Sequence, residues 1–155
     1  MYRHPALAPL SREHHRVLQL ARGIQKNASA HLRATLPAEP RALAAHVATM
    51  FASELEGHFE IEERILVEAV RGRDAELDTL CTTLVREHTE MRVLAGRLVV
   101  PELSSDACQE LLDRLGAALE EHVRQEERTF YERIQTIMSE AELLRLGESL
   151  ERGEK

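Results

Sequence analysis

Apolar residues recur at alternating spacings of three and four along most of this chain. Leu77, Cys81, Leu84, His88, Met91, Ala95 and Leu98 form one such stripe, the pattern of a helix with one buried face. His14, Val17, Leu18, Ala21 and Ile24 form another. Val47, Met50, Phe51, His58, Ile61, Ile65 and Ala69 form a third, and Leu111, Leu115, Ala118, Leu119, His122, Thr129 and Phe130 a fourth. Breaks fall at Thr35–Pro40, at Gly72–Asp74 and at Val100–Asp106, where proline, glycine and short polar residues interrupt helices. Ser11 is a candidate N-cap for the first helix, and Ser139 with Glu142 reads as a capping box for a last one. The spacing therefore predicts helices near 11–34, 40–71, 75–99 and 106–137, with a tail helix near 140–151. Short connections favour antiparallel neighbours. The expected fold is all-α, an antiparallel up-down-up-down four-helix bundle with a short C-terminal helix. It forms a single domain over 1–155, with its core at about 11–137.

Composition agrees and narrows the function. The chain has 155 residues, enough for one domain with a real core. Aromatic residues are only 3%, which disfavours strands. A net charge of −7 without a Lys/Arg cluster argues against nucleic acid and anionic membrane as partners. No apolar run approaches the ~20 residues of a membrane-spanning helix, and no secretory signal is expected. Cys81 and Cys108 make no disulfide framework, so a reducing cytoplasm is the expected location. The anomaly is eight histidines.

Four of them, His14, His58, His88 and His122, fall one to a stripe, and two are followed one turn on by Glu62 and Glu126. The halves repeat: Arg12-Glu13-His14 returns as Arg86-Glu87-His88, and His58-x-x-x-Glu62-Glu63 as His122-x-x-x-Glu126-Glu127. Chance supplies roughly 0.2 copies of His followed by Glu at both the fourth and fifth positions in such a composition. Carboxylates on buried faces cost about 2–7 kcal/mol each if unpaired, so something must compensate them. Helix rise places the four histidines at similar levels, with the third loop absorbing a difference of about 8 Å. Glu126 lies about 40° from His122 around a helix, whereas Glu127 lies about 140° away. Four imidazoles and two carboxylates suit two metal ions about 3.5 Å apart. The carboxylates would bridge them, with an oxo or hydroxo group and an open position. These donors suit Fe, with Mn or Zn as alternatives.

The order His14, His58-x-x-x-Glu62, His88, His122-x-x-x-Glu126 resembles the hemerythrin-like, or HHE cation-binding, family over about residues 11–135. That resemblance implies a non-haem di-iron centre inside a four-helix bundle, bridged by Glu62 and Glu126. It implies O₂, nitric oxide or peroxide as the small ligand. Oxygen carriers of the family place a fifth histidine where this chain has Arg92, so the pattern is closer to its six-ligand members, such as the di-iron domains of iron–sulfur cluster repair proteins. Other functions compatible with the same residues are an enzyme handling peroxide or nitric oxide, and iron storage or delivery. A metal-free helical interaction module is the remaining one, and it predicts that the aligned His and Glu are dispensable.

The other polar residues carry weaker expectations. His4, His15, His31 and His46 are expected at the surface, although His4 lies on an arm that could fold over the bundle end. Glu54 is a candidate extra ligand against a solvated edge, and Arg92 either approaches the site to pair with a carboxylate or extends outward. Gly57 and Gly116 mark candidate close approaches between helices. Phe51, Met91 and Leu119 are expected to wall the site. The tail helix, through Leu143, Leu146 and Leu150, covers one bundle end or mediates a homodimer.

Overall fold

The computed structural model describes residues 2–153. Among them every regular element is helical and no strand occurs. The elements are α1 (Ala8–Gly23), α2 (Ala30–Arg33), α3 (Pro40–Met50), α4 (Glu56–Ile61), α5 (Glu68–Val70), α6 (Ala75–Arg97), α7 (Ser105–Gln125), α8 (Tyr131–Ile137) and α9 (Glu140–Gly153). Wider π-type turns, Phe51–Leu55 and Glu62–Val67, splice α3, α4 and α5 into one rod. A third, Glu126–Phe130, splices α7 to α8. Four long rods result: α1, residues 40–70, α6 and residues 105–137.

The first rod differs from its expectation at both ends. It begins before Ser11, with Pro9 in its first turn and the Leu7 and Ala8 N–H groups donating to the His4 carbonyl at 2.9 and 3.1 Å. Ser11 is no cap; its hydroxyl donates to Glu127 at 2.8 Å. The rod stops at Gly23 rather than near 34. Side chains of the fourth rod take up the freed backbone groups: Asp113 accepts the Lys26 N–H at 2.7 Å, and Gln109 donates to the Ile24 carbonyl at 3.0 Å. Ser29 then caps the short α2. The other starts follow the rules of capping. Asp74 caps α6 and Ser104 caps α7. Ser139 and Glu142 exchange the two bonds of a capping box at 3.0 and 3.2 Å.

The core is divided. Leu7 and Leu10, then Leu66, Val67 and Val70, then Leu77, Cys81 and Leu84, then Phe130, Tyr131 and Ile134 form one apolar cluster. Ala21 and Ile24, Leu43 to Phe59, Met91 to Leu98, and Cys108 to Leu119 form the other. Along each rod the candidate site residues stand at the switch from one cluster to the other. Leu143, Leu146 and Leu150 of α9 are buried in the first cluster, so the tail's apolar face lies on its own chain. Each such leucine contributes about 1.5–3 kcal/mol at most. Gly116 does mark a close approach, since a Cβ there would stand 2.5 Å from the Ala21 carbonyl. Gly57 does not; nothing lies within 4 Å of where its Cβ would be. Among the described residues, no helix is long and apolar enough to cross a membrane.

Candidate metal centre

His14, His58, Glu62, His88, His122 and Glu126 all lie in the core, none more than 7% exposed. They converge as two overlapping groups. One is His14, His58, Glu62 and Glu126; the other is Glu62, His88, His122 and Glu126. Within each group the donor atoms lie within 4.8 Å of one another. The Nε2 atoms of His14 and His58 face each other at 3.2 Å, and those of His88 and His122 at 3.1 Å. Glu62 Oε1 lies 3.3 Å from His58 and 3.4 Å from His88. Glu126 Oε1 lies 2.6 Å from His122 and 3.7 Å from His14.

A second layer of carboxylates fixes the imidazoles. Glu13 bonds His58 Nδ1, Glu87 stands 3.1 Å from His122 Nδ1, and Glu127 stands 3.1 Å from His14 Nδ1. Glu63 lies 3.4 Å from His88 Nδ1, outside hydrogen-bond alignment. A carboxylate at Nδ1 holds the proton there and aims the Nε2 lone pair the other way. All four Nε2 atoms point inward, and three of the rings are fixed at Nδ1 in this way. Glu62 Oε1 and both oxygens of Glu126 are buried without a hydrogen-bond donor. Such a set of acceptors is costly unless positive charge sits among them.

The electrostatics say the same. Burial pushes the His58 imidazole towards neutrality, but Glu62 and Glu13 override it and hold it well above the usual histidine range. Burial also opposes His122, yet Glu126 raises it to about 10. Burial and the neighbouring Glu62 charge push Glu126 up, while Glu62 itself, despite burial, is held low by His58. The facing Nε2 pairs leave room for only one proton each. Metal ions would satisfy these donors at once, and the donor set fits them.

Aromatic rings close the centre. Phe59 stacks on His88 at 3.9 Å, and Tyr131 lies parallel to His14 at 5.6 Å. The Tyr131 hydroxyl donates to Glu62 Oε2 at 3.1 Å. Tyr131 and Val67 come five residues after Glu126 and Glu62, and both are buried because the π-type turns close over five residues there. The same turn leaves Thr129, expected on the buried stripe, exposed. Phe51, Met91 and Leu119 are buried in the second apolar cluster.

Several peripheral expectations change. His15, His31 and His46 are exposed, but His4 is buried, donating to Glu140 at 3.0 Å and accepting the Ala6 N–H at 3.0 Å. The segment before α1 folds back on the bundle and takes His4 out of water. Glu54 is exposed and pairs with Arg16 at 3.1 Å, so it is no ligand. Arg92 turns inward enough to hold Glu56 at 2.8 Å and Glu63 at 2.7 Å. Single-position periodicity missed the outer carboxylates. The internal repeat contained them, since Glu13 and Glu87 share the Arg-Glu-His triplet and Glu63 and Glu127 the His-x-x-x-Glu-Glu motif.

The hemerythrin HHE cation binding domain model matches residues 6–134. Searches of curated proteins and of solved structures returned no significant match. The matched span contains all six inward donors and the outer carboxylates, in an all-helical chain, and the chain belongs to the hemerythrin HHE cation-binding domain family.

Proposed function

We propose that this chain binds two iron ions and, through them, a small ligand such as O₂, nitric oxide or peroxide. His14 and His58 would serve one ion, His88 and His122 the other, and Glu62 with Glu126 would join them. The observation that carries this reading is the set of buried carboxylate oxygens without donors, facing imidazole Nε2 atoms whose Nδ1 atoms face carboxylates. The order of the two apolar clusters supports an up-down-up-down arrangement of the rods. α1 runs from the first cluster to the second, residues 40–70 run back, α6 repeats α1, and residues 105–137 run back again.

An iron pair supplies Lewis acidity and reversible electron transfer at such a centre. The chain's own residues do the rest. Glu13, Glu87 and Glu127 orient imidazoles, and Phe59 and Tyr131 keep two of the rings in place. A cleft of about 490 Å³ reaches Glu13 and His58 past Val17, Leu20 and Met50, a route for a small molecule along a mostly apolar wall. Elemental analysis of protein purified with iron, read with its visible spectrum, tests the reading. About two irons per chain with azide-sensitive charge-transfer bands are expected. No bound metal after iron loading would refute it.

A further inference from the structure

Two arginines frame the centre in matching ways. Arg92 lies 5.8 Å over the Phe59 ring that stacks on His88, and it pairs with Glu63 beside His88 Nδ1. Arg3 lies 5.2 Å over the Tyr131 ring that stacks on His14. Its Nη2 donates to the main-chain oxygen of Glu127 at 2.7 Å and stands 3.7 Å from the Glu127 carboxylate, which meets His14 Nδ1. Each arginine thus reaches one inner histidine by two routes, a stacked ring and an outer carboxylate. The difference is where they come from. Arg92 is part of α6, whereas Arg3 belongs to the segment ahead of α1.

That segment is built in. The His4 N–H donates to Gln135 at 2.8 Å, the His4 ring meets Glu140, and Ala6 lies 3.1 Å from where a Cβ on Gly147 would sit. Arg3 itself is only 14% exposed at its side chain and also pairs with Glu132 at 3.2 Å. A cation over the Tyr131 ring favours the ring's present position. A cation beside Glu127 holds that carboxylate in place against His14. Resting on the metal reading above, we propose that Arg3 is a positioning residue for the centre. It holds Tyr131 and Glu127, so docking of the leading segment sets how tightly metal is retained at the His14 end.

The test follows iron release. Wild type, Arg3→Ala, Arg3→Lys and Arg133→Ala are loaded anaerobically with Fe(II) and mixed with excess ferrous chelator. Arg133 holds Asp74 at 2.9 Å and serves as a control for a lost ion pair outside the centre. Arg3→Ala is expected to speed release roughly tenfold, at the lower end of effects from residues behind a ligand. Arg3→Lys is expected to speed it less, because charge returns without the planar fork. Arg133→Ala is expected to match wild type, and the metal-free melting temperatures of Arg3→Ala and Arg133→Ala are expected to agree. Wild-type release from Arg3→Ala, or equal acceleration in Arg133→Ala, overturns the inference. If Arg3→Ala does not fold, wild-type release from Arg3→Lys overturns it. Normal loading with unmoved Arg3 variants leaves the metal reading intact, whereas a wild-type chain that takes up no iron overturns both.

Discussion

Glu87 is the neighbour of His88 on α6, yet its carboxylate serves His122 on α7, 3.1 Å from Nδ1. The same displacement recurs in the other three cases. Glu13 precedes His14 but bonds His58; Glu63 follows Glu62 but faces His88; Glu127 follows Glu126 but bonds His14. Adjacent helical residues point about 100° apart, so a carboxylate beside an inward donor must look sideways, towards the next rod. Glu87→Gln and Glu13→Gln are therefore expected to weaken metal binding by roughly 10–100-fold while leaving the helical content unchanged. Competition with a chelator, alongside far-ultraviolet circular dichroism, checks this. Unchanged affinity in both variants would count against the outer carboxylates.

Glu62 and Glu126 are expected to behave differently from ordinary buried ion-pair members. Glu62→Ala and Glu126→Ala should each lose metal and remove the extra thermal stability that metal binding adds by mass action. Their melting curves are to be compared with wild type in loaded and metal-free forms. A drop confined to the loaded form supports ligation. An equal drop in both forms points to a structural role.

The two mid-helix glycines make opposite predictions. Gly116→Ala would set a methyl group 2.5 Å from the Ala21 carbonyl oxygen, and is expected to destabilise the fold by about 1–3 kcal/mol. Gly57→Ala meets open space and should stabilise the helix by about 1 kcal/mol. Urea midpoints for the pair read both numbers. A neutral Gly116→Ala would mean that α1 and α7 separate easily.

The tail helix carries a pH dependence of known sign. Arg73, with the Ser139 N–H and hydroxyl adding to it, holds the Glu142 carboxyl down at about 2, below its ordinary 4.5. A depressed folded-state value contributes stability above the unfolded value, and that stability is lost as pH falls through the folded one. Protection of α9 amides from hydrogen exchange should thus be constant above 4.5 and decline between 4.5 and about 2. Glu142→Gln should exchange faster at neutral pH and lose that decline. Identical profiles for variant and wild type would show that α9 is held by its leucines alone.

Much of this structure is legible in the residues, for reasons that differ by element. The stripe from Leu77 to Leu98 is readable because α6 is regular from Ala75 to Arg97; all seven positions named for it are buried. The six inward donors are readable because histidine and glutamate are conspicuous among apolar neighbours. The end of α1 is not, since Lys26 and Ile24 are satisfied by Asp113 and Gln109, distant in sequence. Tyr131 is hidden for another reason. A period of 3.6 residues cannot carry a buried position five residues after Glu126, and only a π-type turn does so. His4 is half legible: its arm could be foreseen folding over the bundle end, but its partners Gln135 and Glu140 are distant in sequence.

The outer carboxylates also constrain motion. Glu13 ties α1 to residues 40–70, Glu63 faces α6 from there, Glu87 ties α6 to α7, and Glu127 closes the circuit back onto α1. A rod that turned about its own axis by one residue would carry both its histidine and its carboxylate out of register, disturbing partners on two neighbours at once. The circuit acts as a rotational lock. Slow rolling of the helices, which would otherwise blur the spacing of the inner donors, is opposed by all four rods together.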